Sequence, residues 1–341
     1  MIIIGCDFHP SAQRIAWKNR ETGECGEREL KHDGEAQAYY RGLRGQNVRV
    51  GMEATGHARW FERLLEECGI ELWVADPAQV RAAATRKQKS DRRDAELLLQ
   101  LLSDGRLEKM RIRIPTPAER DVRRLVLHRH RLVQMRTRVM NQLQAIALNE
   151  GLRKKRALWT KSGREQLLGL ELMPWAATAR ADLLALLEDL NRHIAELDGA
   201  VEREAEARPE VRRLRTQHGV GAVVGLLYVL TILDPTRFAS SRQVASYLGL
   251  IPSERSSGER QRLGHLTKQG NAVLRGLLTE AAHIAVRFDA DWRRQYVRLA
   301  MKKNRSIAAV AIARKLAVRL WWMWKMGLEP GPRIESGSHA G

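Results

Sequence analysis

Four carboxylates, Asp7, Glu53, Asp91 and Asp94, are the residues of this 341-residue chain whose types and spacing could do chemistry together. Asp7 follows the apolar run Ile2-Ile3-Ile4, and Glu53 follows Val48-Arg-Val-Gly-Met52, so each ends a segment that reads as a buried strand. An ionised carboxylate is costly in such a place unless a cation meets it. Asp91 and Asp94 are spaced i, i+3, which puts both on one face of a helix continuing through Leu97, Leu98, Leu101 and Leu102. Together they make an oxygen-donor set suited to Mg2+, and two such ions about 3.5–4 Å apart can clamp the attacking and leaving oxygens of a phosphodiester. Each acid also has a plainer use. Asp91 can cap its helix, Asp94 can sit in the first turn where the helix dipole favours it, and Asp7 can stand in a strand-to-loop turn. The convergence of four on two strand ends and one helix face favours metal. Asp76 also ends an apolar run, but Pro77 follows it and it reads as a turn residue.

A second stretch with chemical potential is residues 247–271. Gly249, Pro252, Gly258, Gly264 and Gly270 punctuate it, and Arg255, Arg260, Arg262 and Lys268 crowd it with positive charge. A glycine-rich basic loop ahead of a helix can cradle phosphate through its backbone N–H groups. A hydroxyl such as that of Ser257 could then act as a nucleophile if a metal or a base activates it. The same Ser256-Ser257-Gly258 is equally an ordinary turn.

The elements that must position these residues fall into segments. Residues 1–108 alternate strand and helix signals: Ile2-Ile3-Ile4, Arg14–Lys18, Val48–Met52 and Glu71–Ala75 read as strands, and Trp60, Phe61, Leu64, Leu65 and Cys68 recur at helical spacing. Two hairpin-like strands followed by strand–helix–strand units predict an α/β domain, a mixed sheet covered by helices. In residues 115–208, Leu125, Leu132, Val139 and Ile146 repeat every seven positions, and Leu183, Leu187, Leu190, Ile194, Leu197 and Val201 step by four and three. That is a coiled-coil pattern, predicting two long antiparallel helices or a dimerising pair, with the basic turn Lys154-Lys155-Arg156 between them. Residues 211–328 read as a mostly helical C-terminal domain, and residues 329–341 as a disordered tail. Its opening His218-Gly219-Val-Gly221 resembles a helix-hairpin-helix glycine turn, which can hold phosphate without reading bases; close helix packing is the other use for such glycines.

With 59 Lys+Arg against 40 Asp+Glu, the formal charge is +19, an excess that favours a polyanionic partner, most often nucleic acid. Three cysteines without CxxC spacing argue against a disulfide framework or a zinc site and suit a reducing cytoplasm. The longest apolar stretch, 219–233, falls below the roughly 18 residues that span a bilayer, so the expectation is a soluble, cytoplasmic protein with no membrane partner.

Gly5-Cys-Asp7, Gly51-Met-Glu-Ala-Thr-Gly56 and Lys89-Ser-Asp-Arg-Arg-Asp-Ala95 resemble the three acidic motifs of the DEDD-type insertion-sequence transposases, also called bridge-RNA-guided recombinases. Ser90 stands where threonine is common. Residues 247–271 are similar to the C-terminal domain of the same family, with Leu-Gly-Leu-x-Pro, then Ser-Gly, then Lys-x-Gly-Asn. The resemblance runs from Met1 to about Leu328. It implies an N-terminal RuvC-like domain of the RNase H fold and a tetrad of Asp7, Glu53, Asp91 and Asp94 that binds Mg2+. It also implies that Ser257, beside Ser256 and directly before Gly258, forms a covalent phosphoserine link to cleaved double-stranded DNA. A guide RNA and a homo-oligomer, dimer or tetramer, follow from the resemblance alone. Two rivals use fewer of these parts: a Holliday-junction-resolvase-like nuclease with water as nucleophile, and a non-catalytic nucleic-acid-binding protein whose acids merely cap helices.

Overall fold

The computed structural model describes residues 1–84, 91–254 and 263–327, and divides the chain into two compact units, Met1–Ile114 and Pro115–Gly341. The first unit is built on β1 (Ile2–Phe8), β2 (Ala12–Asn19), β3 (Cys25–Lys31), α1 (Glu35–Gly42), β4 (Val48–Glu53), α2 (Arg59–Glu67), β5 (Glu71–Ala75), α3 (Pro77–Ala83), α4 (Asp91–Ser103) and α5 (Arg106–Lys109). The strands form one sheet in the order β3-β2-β1-β4-β5. β1, β2 and β3 are antiparallel neighbours, whereas β4 and β5 run parallel to β1. This is the mixed sheet expected, and its order is that of an RNase H-like domain.

Side-chain alternation assigns the two faces of the sheet. Ile4 and Cys6 of β1 join Val48, Val50 and Met52 of β4 under α1 and α2, packed on Tyr40, Phe61 and Leu65. The opposite face carries Gly5, Asp7, Gly51 and Glu53 and is covered by α4, whose Leu98, Leu101 and Leu102 pack with Trp73, Ala75 and Leu107. β3 has no counterpart among the expected strands. Only Leu30 of its seven residues is buried, and its remaining residues alternate without an apolar face, as suits an edge strand guarded by charge. Asp76 is also more specific than a turn residue: its carboxylate accepts from Ala78 N at 2.8 Å and caps α3.

The second unit opens with a capping box, in which Thr116 Oγ1 accepts from Glu119 N and Glu119 Oε2 accepts from Thr116 N at 2.7 Å. It starts α6 (Pro117–Asn149), which is followed by a 3-10 turn (Arg156–Trp159), α7 (Lys161–Leu168) and α8 (Pro174–Glu206). α6 and α8 lie antiparallel within one chain. Arg129 meets Asp198 at 2.6 Å toward one end, and Leu143 and Ala147 join Leu158, Leu167 and Leu187 toward the other. The stripe on α8 buries Leu187, Leu190, Ile194 and Val201, as its spacing predicts. On α6 the seven-residue repeat holds in part: Val139 is buried and Leu125 and Leu132 pack against the cores, Ile146 is only partly covered, and Val126, Leu143 and Ala147 are buried outside the repeat.

The helices α9 (Pro209–Arg215), α10 (Ala222–Ile232), α11 (Ser241–Tyr247), α12 (Ala272–Phe288), α13 (Ala290–Lys302) and α14 (Arg305–Met326) complete the unit, with a short pair of strands, β6 (Pro252–Glu254) and β7 (Leu263–Leu266). α10 is apolar all round and buried from Val224 to Ile232, so it serves as the central helix of this core against α12 and α14. Tyr228 Oη donates to Ala317 O at 2.6 Å inside it. Among the described residues no helix is long and apolar enough to cross a membrane. The three cysteines are free thiols. Residues 329–341, read from composition as a tail, lie outside the described residues.

Candidate metal centre

Two glycines set where α4, which carries Asp91 and Asp94, lies on the strands that end at Asp7 and Glu53. In β1 and β4, Gly5 and Gly51 lie directly opposite each other, each two residues before an acid and therefore on the acid's face. A Cβ on Gly5 would stand 2.3 Å from Ala95 O and from Leu99 N, both backbone atoms of α4. One on Gly51 would meet Leu102 Cδ1 and Leu107 Cδ2 at 2.6 Å. The absence of side chains there lets α4 lie almost on the strands, which brings its first turn to their C-terminal ends.

Asp7 and Glu53 stand one residue beyond Cys6 and Met52, the last paired positions of adjacent parallel strands. Both are half-buried, Asp94 is half-buried, and Asp91 at the start of α4 is exposed. Burial raises the Asp7 carboxyl above its ordinary 3.8; His9 pulls it back, and the charges of Asp94 and Asp91 push it up further. The charges of Asp91 and Asp94 thus both reach Asp7, and the parallel register places Glu53 at the end of the neighbouring strand. A crowd of carboxylates at a partly desolvated spot is one that a divalent cation would relieve, and its oxygen donors are those that hard cations choose. The residues present fit such an ion.

One member of this cluster was not among the sequence candidates. His9 Nε2 lies 3.1 Å from Asp7 Oδ2 and 3.7 Å from Asp91 Oδ1. One ligand atom each from Asp7, His9 and Asp91 falls within 4.8 Å of the others. Its sequence signal is slight, a lone histidine two residues past the acid in Asp7-Phe-His9-Pro10.

The other candidates are distributed over the second unit. Lys155 and Arg156 are exposed in the turn after α6, and the Lys154 carbonyl accepts from Gln144 Nε2 at 2.7 Å. Lys268 is exposed beyond β7 with φ +54°. Gly219 has φ +87°, and a Cβ there would stand 2.3 Å from Ala281 O, so its position in the turn between α9 and α10 is one of close packing against α12. Gly221 precedes α10 at φ −88° with open space around it. Ser257, with Arg255, Arg260 and Arg262, lies outside the described residues, as do Lys89 and Ser90 of the third acidic motif.

A mixed five-stranded sheet with acids at the ends of its central strands and on the helix above them defines an RNase H-like domain of the DEDD type. Residues 4–150 match the DEDD transposase domain, and residues 211–298 match the domain described as Transposase IS116/IS110/IS902 family. The chain is 29% identical over 329 residues to a probable family 20 transposase of Pseudomonas aeruginosa, covering 93% of this chain and 95% of that protein. It is 28% identical to the transposase for insertion sequence element IS1111A of Coxiella burnetii, over 81% and 78% of the two chains. Against the transposase for insertion sequence element IS1328 of Yersinia enterocolitica the identity is 25%, over 82% and 84%. The chain belongs to the IS116/IS110/IS902 family of insertion-sequence transposases. It is a DNA transposase, a DNA-binding enzyme of a type that uses divalent metal.

Proposed function

We propose that the protein moves an insertion element by cutting and rejoining double-stranded DNA, with Asp7, Glu53, Asp91 and Asp94 holding Mg2+ ions, two in number, and Ser257 attacking the scissile phosphate. The observation that carries the reading is the placement of the acids at adjacent strand ends beneath a helix seated on Gly5 and Gly51. Bound Mg2+ would neutralise phosphate charge and lower the cost of ionising an attacking hydroxyl. Ser257 Oγ forms a bond to phosphorus as the bond to a deoxyribose oxygen breaks, and the hydroxyl proton passes, on balance, to the departing oxygen. One phosphodiester replaces another, so the energy needed for rejoining is kept. A DNA hydroxyl reverses the step on a new strand.

Arg255, Arg260, Arg262 and Lys268 are suited to the phosphates near Ser257, and Lys154, Lys155, Arg156 and the Gly219–Gly221 turn to backbone contacts elsewhere. Family resemblance supplies an element-encoded guide RNA as the partner that chooses both DNAs, and a homo-oligomer as the active species. The +19 charge suits both polyanions.

The test is to incubate protein, Mg2+ and element-end DNA and to resolve the products on denaturing gels. Wild type is expected to give a protein–DNA adduct that Ser257→Ala and Glu53→Gln both lose. Cleavage without any adduct, or an adduct that persists in Ser257→Ala, overturns the serine step and returns the reading to a water-using nuclease. RNA copurifying with the protein is expected to be a single element-derived species; only degraded cellular RNA would remove the guide.

A further inference from the structure

The acidic centre is not made of carboxylates alone. His9 lies just past β1, in the tight turn to β2 where its own N–H donates to Ala12 O at 2.9 Å. That backbone bond and the following Pro10 restrict the backbone of the residue, and from there its ring reaches back to the acids. Nε2 then faces Asp7 Oδ2 at 3.1 Å and Asp91 Oδ1 at 3.7 Å, with the ring side chain 44% exposed, so the cluster is open to solvent at His9.

We infer that His9 Nε2 is a direct ligand, together with Asp7 and Asp91, of one divalent ion in the acidic centre, and that this nitrogen makes the position prefer Mn2+-like metals over Mg2+. The inference rests on the metal-centre reading of the preceding subsection. Adjacent ligands of an octahedral ion at about 2.1 Å stand about 3.0 Å apart. The His9–Asp7 separation already has that span, and Asp91, at the exposed start of α4, has about 0.7 Å to close. Imidazole nitrogen suits the later divalent metals, whereas Mg2+ selects oxygen. Ligation through Nε2 needs the neutral ring with its proton on Nδ1. A histidine that merely orients Asp7 would instead keep the Nε2 proton and donate it to Oδ2.

These two roles differ in a signal other than activity. Full-length protein stripped with EDTA is loaded with substoichiometric Mn2+, with and without 15N-labelled histidine, and measured by pulsed electron paramagnetic resonance. The expected result is one imidazole-nitrogen coupling in wild type that disappears in His9→Gln. By calorimetric titration, His9→Gln is expected to weaken Mn2+ by about tenfold or more and Mg2+ by less than about threefold. A far-UV circular dichroism spectrum and a melting temperature equal to wild type confirm that His9→Gln is folded. Bound Mn2+ without nitrogen coupling, or coupling that persists in His9→Gln, overturns the inference. Asp7→Asn separates the two levels. If it abolishes Mn2+ binding while wild type shows no nitrogen coupling, the acidic centre stands and His9 is only an orienting group. If Asp7→Asn leaves Mn2+ binding unchanged, or wild type binds none, the metal-centre reading and the His9 inference fall together.

Discussion

Gly5→Ala should damage the enzyme although Gly5 touches no metal, DNA or reacting atom. The new Cβ would stand 2.3 Å from Ala95 O and Leu99 N, and ordinary contact begins near 3.4 Å, so α4 must withdraw by about 1.1 Å. Both obstructing atoms belong to a helix backbone and cannot rotate aside. Overpacking of this kind costs about 1–3 kcal/mol. The larger effect is on the site, because α4 carries Asp91 and Asp94, and a displacement of about 1 Å in a reacting constellation can cost on the order of 100-fold in rate. Gly51→Ala is the internal control. Its Cβ meets Leu102 Cδ1 and Leu107 Cδ2 at 2.6 Å, the tips of side chains that can change rotamer, so a loss of about 1 kcal/mol and a smaller loss of activity are expected. An excision reporter, metal titration, and hydrogen exchange of the β1 and α4 amides read the two effects separately. Gly5→Ala with stability and excision within twofold of wild type, or Gly51→Ala as the more damaged variant, would refute the account of why α4 sits where it does.

Other substitutions test neighbouring claims. Asp7 has a raised carboxyl pKa in the fold, so its ionised form works against folding: the cost is absent below the ordinary 3.8 and grows as pH rises from there through the folded value. Asp7→Asn in EDTA is therefore expected to melt above wild type at pH 7, with the advantage fading in acid; excess Mg2+ should raise the melting temperature of wild type and not of the variant. An Asp7→Asn protein less stable than wild type in EDTA at pH 7 would contradict this. Gly219→Ala is expected to lose about 1–3 kcal/mol in urea denaturation because φ +87° and Ala281 O both oppose a side chain. Gly221→Ala, in open space at φ −88°, should cost less than about 1 kcal/mol, and equal losses would show that close packing does not set the Gly219 position. Thr116→Ala removes half of the capping box that starts α6 and should cost about 1 kcal/mol in the same assay, with no change in metal affinity.

The sheet and the acids were legible because their signals are local. A run of Ile or Val that stops at a carboxylate announces a strand end, and Asp91 with Asp94 announces one helix face, before any packing is known. β3 was illegible because an edge strand needs only one inward side chain, Leu30, and can spend its other positions on charge. The heptad reading of α6 caught Leu125, Leu132 and Val139 but missed most of the fully buried positions, for a different reason. α6 serves two cores: Val126 packs in the cluster around α10, whereas Val139, Leu143 and Ala147 pack against α7 and α8. α8 spans the same two clusters, with Leu187, Leu190 and Ile194 in one and Val201 in the other, and still keeps its stripe. A strict step of seven drifts off the buried face of a straight helix, which on α6 the steps of four from Val139 through Leu143 to Ala147 follow. His9 was hidden because a histidine in a turn has many uses, and only the path of the β1–β2 turn selects this one.

The glycines and acids of the first two motifs are better understood as one device than as neighbours in a pattern. Strand periodicity puts Gly5 with Asp7 and Gly51 with Glu53 on the same face, so the residue that admits α4 and the residue that faces its first turn are fixed together. A one-residue slip of either strand would move both to the α1–α2 side and exchange them for Cys6 or Met52. The far end of α4 is held independently: Arg20, just beyond β2, donates from Nη2 to Ser103 O at 2.9 Å, one of the carbonyls a helix leaves unpaired. The helix is thereby set in height by two glycines and along its axis by an arginine, none of them near a substrate. The position of Asp91 and Asp94 over the strand ends is accordingly a property of the whole layer, and variants at Gly5, Gly51 and Arg20 should alter metal affinity by moving these two acids while leaving every proposed ligand residue unsubstituted.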